Sequence, residues 1–245
     1  MTRQLSDQEW LAQLEVQSRK KQESFINGIA AKLNRPRVKE KPDHPYRGAP
    51  DFWHDFSWPL DQRIHQFKVH FEAAGGSVVH LADLEEAKRF IVATARELKA
   101  STMLRQYQDI LAQLDLEDAL PDIDISVWND IRETDYRFKA AEADIGIVLA
   151  DYAAAYTGSM VVLSSKDTGR VVSLLPAVLM AIIPAERLKT RLGEILVDFD
   201  AAGGENLPAG IHFISGPSRS ADIENDLTIG VHGPGIVYAL LVDHL

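Results

Sequence analysis

The sequence predicts an α/β domain with a mostly parallel sheet covered by helices on both faces, preceded by an N-terminal helical arm. Two observations carry this prediction. Short apolar runs typical of buried strands, such as residues 77–81 and 144–149, alternate with amphipathic helical stretches, such as residues 83–98. The chain has 245 residues, 46% of them hydrophobic, and is therefore long and apolar enough to bury a sizeable core.

The chain begins with a helical pattern over residues 7–33. Ser6 is a candidate N-cap because Glu9 follows it at the spacing of a capping box. Apolar residues recur at roughly helical intervals, at Trp10, Leu14, Phe25, Ile29 and Leu33. Residues 17–23 are too polar to bury much, so we predict a partly exposed arm whose apolar positions need a partner surface. That surface is either the protein's own domain or a second subunit in a homo-oligomer, and the pattern leaves both open.

Residues 34–59 are predicted to form a linker. Five prolines interrupt any regular element in this stretch. It also contains an aromatic cluster made of Phe52, Trp53, Phe56 and Trp58. Such a cluster either stacks on a ring-bearing ligand or, more commonly, pins a long connection onto the core. We therefore predict that residues 1–59 form the arm and linker, and that residues 60–245 form the α/β domain.

The domain is predicted to alternate helices with strands of one largely parallel sheet. The strands cover residues 77–81, 101–104, 124–128, 144–149, 159–163, 178–183, 211–215 and 236–242. The helices cover residues 60–74, 83–98, 107–114 and 134–143, and a further helix begins at Pro184. This last helix is expected to carry one apolar face made of Leu188, Leu192, Ile195 and Leu196.

Composition narrows the classes of function. The net charge of −10 disfavours a nucleic-acid ligand, because phosphate binding requires a basic surface. The chain has no cysteine, which excludes disulfides, a thiol nucleophile and cysteine-ligated iron–sulfur clusters within it. No apolar run is long enough to span a membrane, and the N-terminus lacks the pattern of a secretion signal. We therefore expect a cytoplasmic protein.

Candidate site residues lie where small or polar residues adjoin apolar runs. Loops at the carboxyl ends of parallel strands share a crevice, so we expect these residues to meet there. In residues 216–224, Arg219 and the turn at Gly216 are suited to a carboxylate or phosphate. The same segment contributes Ser218, Asp222 and Glu224; the alternative is a capped turn with no ligand.

Three further stretches add candidates. Thr157 and Ser159 provide hydroxyls at a small-residue turn, and Arg170 supplies a second guanidinium. His232 lies between glycine-rich turns and is a candidate acid–base group, although such a histidine is more often structural. Glu224 is the second candidate acid–base group. No metal-ligand spacing and no phosphate-binding glycine motif is present, so we expect neither a metal nor a cofactor in this chain.

Several blocks together resemble the LUD-domain family, in particular its lactate utilization protein C branch. The blocks are Ala143-Asp-Ile-Gly-Ile, Thr157-Gly-Ser-Met-Val-Val-Leu, Gly169-Arg170, Ser173-Leu-Leu-Pro176, Gly216-Pro-Ser-Arg-Ser-Ala-Asp-Ile-Glu224 and Gly230-Val-His-Gly-Pro234. The resemblance implies an α/β fold like that of ribose-phosphate isomerases, glucosamine-phosphate deaminases and CoA transferases. It also implies a role in oxidising L-lactate to pyruvate, together with partner proteins that carry iron–sulfur clusters.

The chain departs from the family pattern at two positions. Tyr156 stands where the family usually has Glu, and Leu179 stands where it usually has His. The leading hypothesis is a subunit of a lactate-oxidising system that binds an anionic metabolite or a partner. Two alternatives to it stay open. One is an independent isomerase or acyl-CoA transferase, which rests on fold analogy alone. The other is a non-catalytic assembly or regulatory protein, which the two replaced polar positions favour.

Overall fold

The computed structural model describes residues 7–40, 56–130, 136–221 and 227–245, and it divides into two units at residues 55 and 56. In the first unit, helix α1 (Asp7–Lys32) confirms the predicted helix over residues 7–33. After this helix the chain turns back, and Arg37 Nη1 lies 3.2 Å from Glu23 Oε1. Whether a second subunit covers the apolar residues of α1 stays a prediction.

The second unit contains the remaining described elements. Its helices are α2 (Leu60–Ala73), α3 (Leu84–Glu97), α4 (Asp109–Ala112), α5 (Leu116–Ala119), α6 (Tyr136–Glu142), α7 (Val171–Leu174) and α8 (Leu192–Ala202). Its strands are β1 (Ser77–Asp83), β2 (Thr102–Arg105), β3 (Asp124–Val127), β4 (Ile145–Leu149), β5 (Tyr152–Ala154), β6 (Ser159–Ser164), β7 (Val178–Pro184), β8 (Leu188–Lys189), β9 (Gly210–Ile214), β10 (Arg219–Ala221), β11 (Leu227–Ile229) and β12 (Ile236–His244).

A six-stranded parallel sheet forms the centre of this unit and confirms the predicted α/β fold. Its strand order is β1-β12-β7-β4-β2-β3, and every neighbouring pair is parallel. All residues of β4 and β7 are buried, because both faces of the sheet are covered. One core lies between the sheet and helices α3, α4 and α5. The other lies against α2, α7 and strand β6.

A second, four-stranded sheet corrects the expectation of a single sheet. Strands β8, β5, β6 and β9 form it in that order, and the pairs β5–β6 and β6–β9 are antiparallel. The predicted strands at residues 159–163 and 211–215 therefore exist but belong to this sheet. An apolar run shows that a strand is buried, whereas its pairing partner depends on the turns that connect it. Here the tight turn after β5 makes β6 double back on it.

The helix predicted to begin at Pro184 is wrong. Pro184 is the last residue of β7, and a short 3-10 turn (Ala185–Arg187) and strand β8 follow it. Leu188 is accordingly buried in a strand and does not share a helix face with Ile195. Helix α8 begins only at Leu192, where the Glu194 carboxylate accepts a hydrogen bond from the Arg191 N–H at 3.0 Å.

Candidate functional site

The segment that contains Ser218, Arg219 and His232 lies at the amino ends of the parallel strands. It leads from the second sheet into β12, whose first residue, Ile236, pairs with Val178, the first residue of β7. The expected position at the carboxyl ends is therefore wrong for these three residues. The reason is topological: the segment precedes the last strand of the sheet, and a loop that precedes a strand reaches its amino end.

The turn at Gly216 packs on the end of helix α2. The guanidinium of Arg219 donates a hydrogen bond to the carbonyl oxygen of Ala74, which follows α2. Ser218 donates its backbone N–H to the carbonyl of Pro234 at 2.9 Å, and its own carbonyl accepts the Gly230 N–H at 2.9 Å. The Ser218 N–H therefore already has an acceptor within the protein, and the two hydrogen bonds hold the two turns together.

The chain after this turn forms a strand, because Arg219 to Ala221 pair with Leu227 to Ile229 in an antiparallel hairpin. Asp222 and Glu224 lie outside the described residues, so their proposed roles stay predictions.

The hydroxyl-bearing turn after β5 reaches the same end of α2. Ser159 is buried, and its Oγ lies 2.7 Å from Oγ of Ser215, the residue directly before Gly216. Gly158 approaches the backbone of α2 so closely that an added Cβ would lie 2.6 Å from the Phe71 nitrogen. Thr157 is exposed at the tip of the turn. The structure therefore brings Ser159 and the Gly216 turn together, although not in the predicted crevice at the carboxyl ends of parallel strands.

Tyr156 belongs to an aromatic cluster with Phe56, Trp58 and His70. Its ring centroid lies 5.4 Å from that of Phe56, 6.1 Å from Trp58 and 6.3 Å from His70. The rings pack against one another, so Phe56 and Trp58 serve to pin the connection before α2. The other two aromatic residues predicted for this cluster, Phe52 and Trp53, lie outside the described residues.

Leu179 is only 1% exposed and lies in the core between the parallel sheet and α2. Both positions that depart from the family pattern thus pack as apolar or aromatic residues.

Arg170 lies in a different polar group, which the sequence analysis missed. It precedes α7 and is exposed, and its positive charge acts on His212 of β9. His212 Nε2 lies 2.6 Å from Ser164 Oγ on the neighbouring strand β6. Burial lowers the pKa of His212, and the Arg170 guanidinium lowers it further. Ser164 and His212 come together because β6 pairs with β9. The sequence analysis predicted one parallel sheet, so it did not predict this pairing or the contact.

The carboxyl end of β4 carries a carboxylate instead of the predicted residues. Asp151 Oδ2 accepts the Leu163 N–H at 2.7 Å and thereby links the residue before β5 to strand β6 of the second sheet. Burial raises the pKa of Asp151, against the opposing effects of that hydrogen bond and the charge of Arg187. Its role in the described structure is to satisfy a backbone group.

A cavity of about 580 Å³ opens at the amino ends of β4, β7 and β12. Its lining includes Glu142, Asp144, Leu174, Leu175 and His232. The sequence analysis named only His232 of these as a candidate. The other four lie on α6, on α7 or beside their ends, and the sequence alone does not show that these ends converge.

Asp144 closes one side of this cavity and holds the start of β2. Its Oδ2 accepts the backbone N–H groups of Ser101 at 2.7 Å and Thr102 at 3.0 Å, and both hydroxyls also donate to it. Burial alone would raise the pKa of Asp144, but these hydrogen bonds outweigh it and hold the pKa below its usual value.

We expect Asp144→Asn to lower the free energy of unfolding at pH 7 by about 1 to 2 kcal/mol, because an amide accepts these hydrogen bonds more weakly. A lowered pKa in the folded state stabilises the protein above the ordinary carboxyl pKa of about 3.9. The difference in the free energy of unfolding between the wild type and Asp144→Asn should therefore shrink as the pH falls through the pKa of Asp144 in the folded state. Urea titrations at several pH values test this against Asp122→Asn, an exposed carboxylate with no partner among the described residues. A difference that persists unchanged at low pH would contradict it.

No helix in the described part of the chain is long and apolar enough to cross a membrane. Across residues 7–40, 56–130, 136–221 and 227–245, no three His, Asp or Glu side chains are arranged to hold a metal ion.

Comparison with known proteins identifies the family. The model of the LUD domain matches residues 64–242, from within α2 to within β12. This range includes the cavity, Arg170 and Arg219. The chain belongs to the LUD domain family. Within that family it belongs to the lactate utilization protein C branch, as its relatives show.

Curated relatives of this LUD domain protein match along most of their length. A lactate utilization protein C from Halalkalibacterium halodurans is 35% identical, over 87% of this chain and 94% of the relative. A protein with the same description from Shouchella clausii is 33% identical, over 91% of this chain and 98% of the relative. Another from Bacillus subtilis is 32% identical, over 87% of this chain and 92% of the relative.

A solved structure shares the fold of the LUD domain. The crystal structure of a DUF162 family protein from Deinococcus radiodurans has a TM-score of 0.52 and 18% sequence identity. It covers 76% of this chain and 99% of that chain, and at this identity it supports the fold alone.

Proposed function

We propose that this chain is a component of a lactate utilization system and supports the oxidation of L-lactate to pyruvate. The observation that carries the proposal is the set of relatives described as lactate utilization protein C, which match 86% to 91% of the chain at 29% to 35% identity. The LUD domain model matches residues 64–242, a range that spans the cavity, the Gly216 turn and Arg170.

The chemistry of the reaction supports a need for partner proteins. Conversion of the lactate hydroxyl-bearing carbon into a carbonyl removes two electrons and two protons, and the electrons must pass to a redox centre. This chain has no cysteine with which to ligate an iron–sulfur cluster. We therefore propose that its partners carry the iron–sulfur clusters, and that this chain binds an anionic metabolite or one of those partners.

The Arg170 group is the best supported position for an anionic metabolite. A guanidinium pairs with a carboxylate through two parallel hydrogen bonds, and Arg170 has no carboxylate partner among the described residues. His212, whose pKa the Arg170 charge lowers, and Ser164, whose Oγ lies 2.6 Å from His212 Nε2, supply polar atoms for a hydroxyl or carbonyl. Arg219 is the weaker candidate because its guanidinium already donates to the Ala74 carbonyl.

The proposal is tested by removing the gene from its host and measuring growth on L-lactate. We expect the deletion to stop this growth, and the wild-type chain and Arg89→Ala to restore it. Arg89 is a suitable control because it lies on α3 and, among the described residues, its ion pair is with nearby Glu86. Arg170→Ala should fail to restore it although the variant folds. Normal growth of the deletion strain would refute the function. Full rescue by both Arg170→Ala and Arg219→Ala would refute the metabolite site alone.

A binding measurement separates the two halves of the proposal. L-lactate or pyruvate at a hundred times its dissociation constant stabilises the folded state by about 2.7 kcal/mol. A rise in the thermal midpoint that Arg170→Ala abolishes and Arg89→Ala retains would support the metabolite site.

A non-catalytic assembly role is the second candidate, and two observations favour it. Tyr156 packs among aromatic rings and Leu179 is buried in the core, so the carboxylate and the imidazole that the family pattern has at these positions are both absent. Rescue of growth by every substitution in the Arg170 group, together with co-purification of an iron–sulfur partner, would favour this role.

A further inference from the structure

Exposed aliphatic residues lie in and next to the lining of the cavity at the amino ends of β4, β7 and β12. We call five of them its rim, each between 39% and 53% exposed: Leu174, Leu175, Ile229, Val231 and Ile236. Single exposed aliphatic residues are normal on a protein surface, but a contiguous group marks an interaction site. We call the cavity and this rim the amino-edge surface.

The rim is continuous with the cavity. Leu174, Leu175 and Val231 line the cavity directly. Ile229 ends β11 immediately before Gly230, which is also in the lining. The Ile236 N–H donates to the carbonyl of Ala177, another lining residue. The apolar rim and the cavity therefore form one surface.

The floor of the amino-edge surface is acidic. Glu142 and Asp144 both line the cavity, and no cation among the described residues pairs with either carboxylate. The four hydrogen bonds that Ser101 and Thr102 donate to Asp144 all end on Oδ2, and among the described residues none ends on Oδ1. Asp144 therefore contributes to the lining beside Glu142 with one carboxylate oxygen that has no hydrogen bond from the described residues. Among the described residues of the lining, His232 is the one basic side chain.

We propose that the amino-edge surface docks a partner protein through a segment that presents Lys or Arg between aliphatic residues. The cationic head would lie against Glu142 and Asp144, and the aliphatic residues would cover the rim. An anionic metabolite is disfavoured because two carboxylates would repel it. A second copy of this chain is also disfavoured, because the net charge of −10 opposes self-association through an acidic floor.

The docking surface deepens the proposed function. It rests on that function in one respect, namely that the chain works together with other proteins. This surface and its partner chemistry are distinct from the Arg170 group, so the two sites can be tested separately.

The test uses the full chain and a short fluorescein-labelled peptide that alternates Leu and Lys. The same peptide with Glu in place of Lys serves as the second probe. We expect fluorescence anisotropy to show binding of the Lys peptide, weakened at high salt, and no binding of the Glu peptide. Glu142→Lys should weaken binding of the Lys peptide about tenfold or more, which corresponds to loss of one well-formed charge contact.

The charge-matched control is Glu205→Lys, because Glu205 is exposed in the 3-10 turn Gly204–Asn206, outside the cavity lining. This control should retain the wild-type affinity within about twofold. Glu142→Lys is expected to fold, since Glu142 ends α6 and a cation is favourable at the end of a helix. Leu175→Ser provides an independent variant of the rim and should also weaken binding.

Equal affinities of Glu142→Lys and Glu205→Lys, or absence of Lys-peptide binding to the wild type, would overturn the docking proposal. So would a dimer in sedimentation that Glu142→Lys dissociates, since a second copy would then occupy the surface. A deletion strain that grows normally on L-lactate would refute the proposed function while the peptide result stands. Loss of growth without peptide binding would refute the docking surface alone.

Discussion

Gly146→Ala is expected to lower the free energy of unfolding by about 3 kcal/mol. Gly146 lies in the middle of β4, between β2 and β7, and is buried. A Cβ at this position would overlap the carbonyl oxygen of Val172 in α7 and would lie 2.8 Å from Cγ of Pro176. Backbone cannot rotate away as a flexible side chain can, so α7 would have to move off the sheet.

The matched control for this prediction is Gly193→Ala. Gly193 is in the first turn of α8, and a Cβ there meets nothing within 4 Å. Alanine favours a helix over glycine, so this change should raise stability by at most about 1 kcal/mol. Chemical denaturation of both variants provides the measurement. Equal denaturation midpoints would show that α7 does not pack on β4.

Because α7 carries Leu174, the Gly146 variant should also weaken peptide binding at the amino-edge surface.

The sequence correctly predicted those helices and strands whose residue pattern fits only one kind of secondary structure. Ala87, Ile91 and Ala95 recur at helical spacing, and they are buried on one face of α3. The apolar run at residues 178–183 is long and uniformly buried, and it forms β7 at the centre of the sheet. Local periodicity decides such elements, because each buries its own apolar side chains whatever its neighbours are.

Pairing and edge position were beyond the sequence. Nothing in residues 159–163 distinguishes a parallel strand of the main sheet from an antiparallel strand of a second one, because both are buried on two faces. That ambiguity placed Ser218, Arg219 and His232 at the wrong end of the strands. It also concealed the contact between His212 and Ser164, which exists only because β6 pairs with β9.

The cavity itself could not be predicted, since α6, α7 and the turn before β12 are far apart in the chain. Asp144 was part of a recognised block, yet its hydrogen bonds to Ser101 and Thr102 follow from the adjacency of β4 and β2. A carboxylate that follows a helix and precedes a strand has many possible roles. Its role is decided by which strand lies next to it.

Gly158→Ala is also expected to cost about 3 kcal/mol, for two separable reasons. Gly158 has a φ of +56°, a left-handed conformation that costs a residue with a Cβ about 1 kcal/mol. In addition, the new Cβ would lie 2.6 Å from the Phe71 nitrogen and 2.7 Å from the His70 carbonyl carbon, both in the backbone of α2. The turn would have to separate from the helix, which is an overpacking cost of about 1 to 3 kcal/mol.

Lys99→Gly isolates the backbone contribution, because Lys99 is exposed after α3 and has a nearly equal φ of +53°. That change should raise the free energy of unfolding by about 1 kcal/mol. Subtracting its magnitude from the loss in Gly158→Ala leaves the cost of the contact with α2. If the two magnitudes are equal, the turn does not touch the helix. If the Gly158 loss is larger, the glycine is required for the packing of this turn on α2, directly before the contact between Ser159 and Ser215.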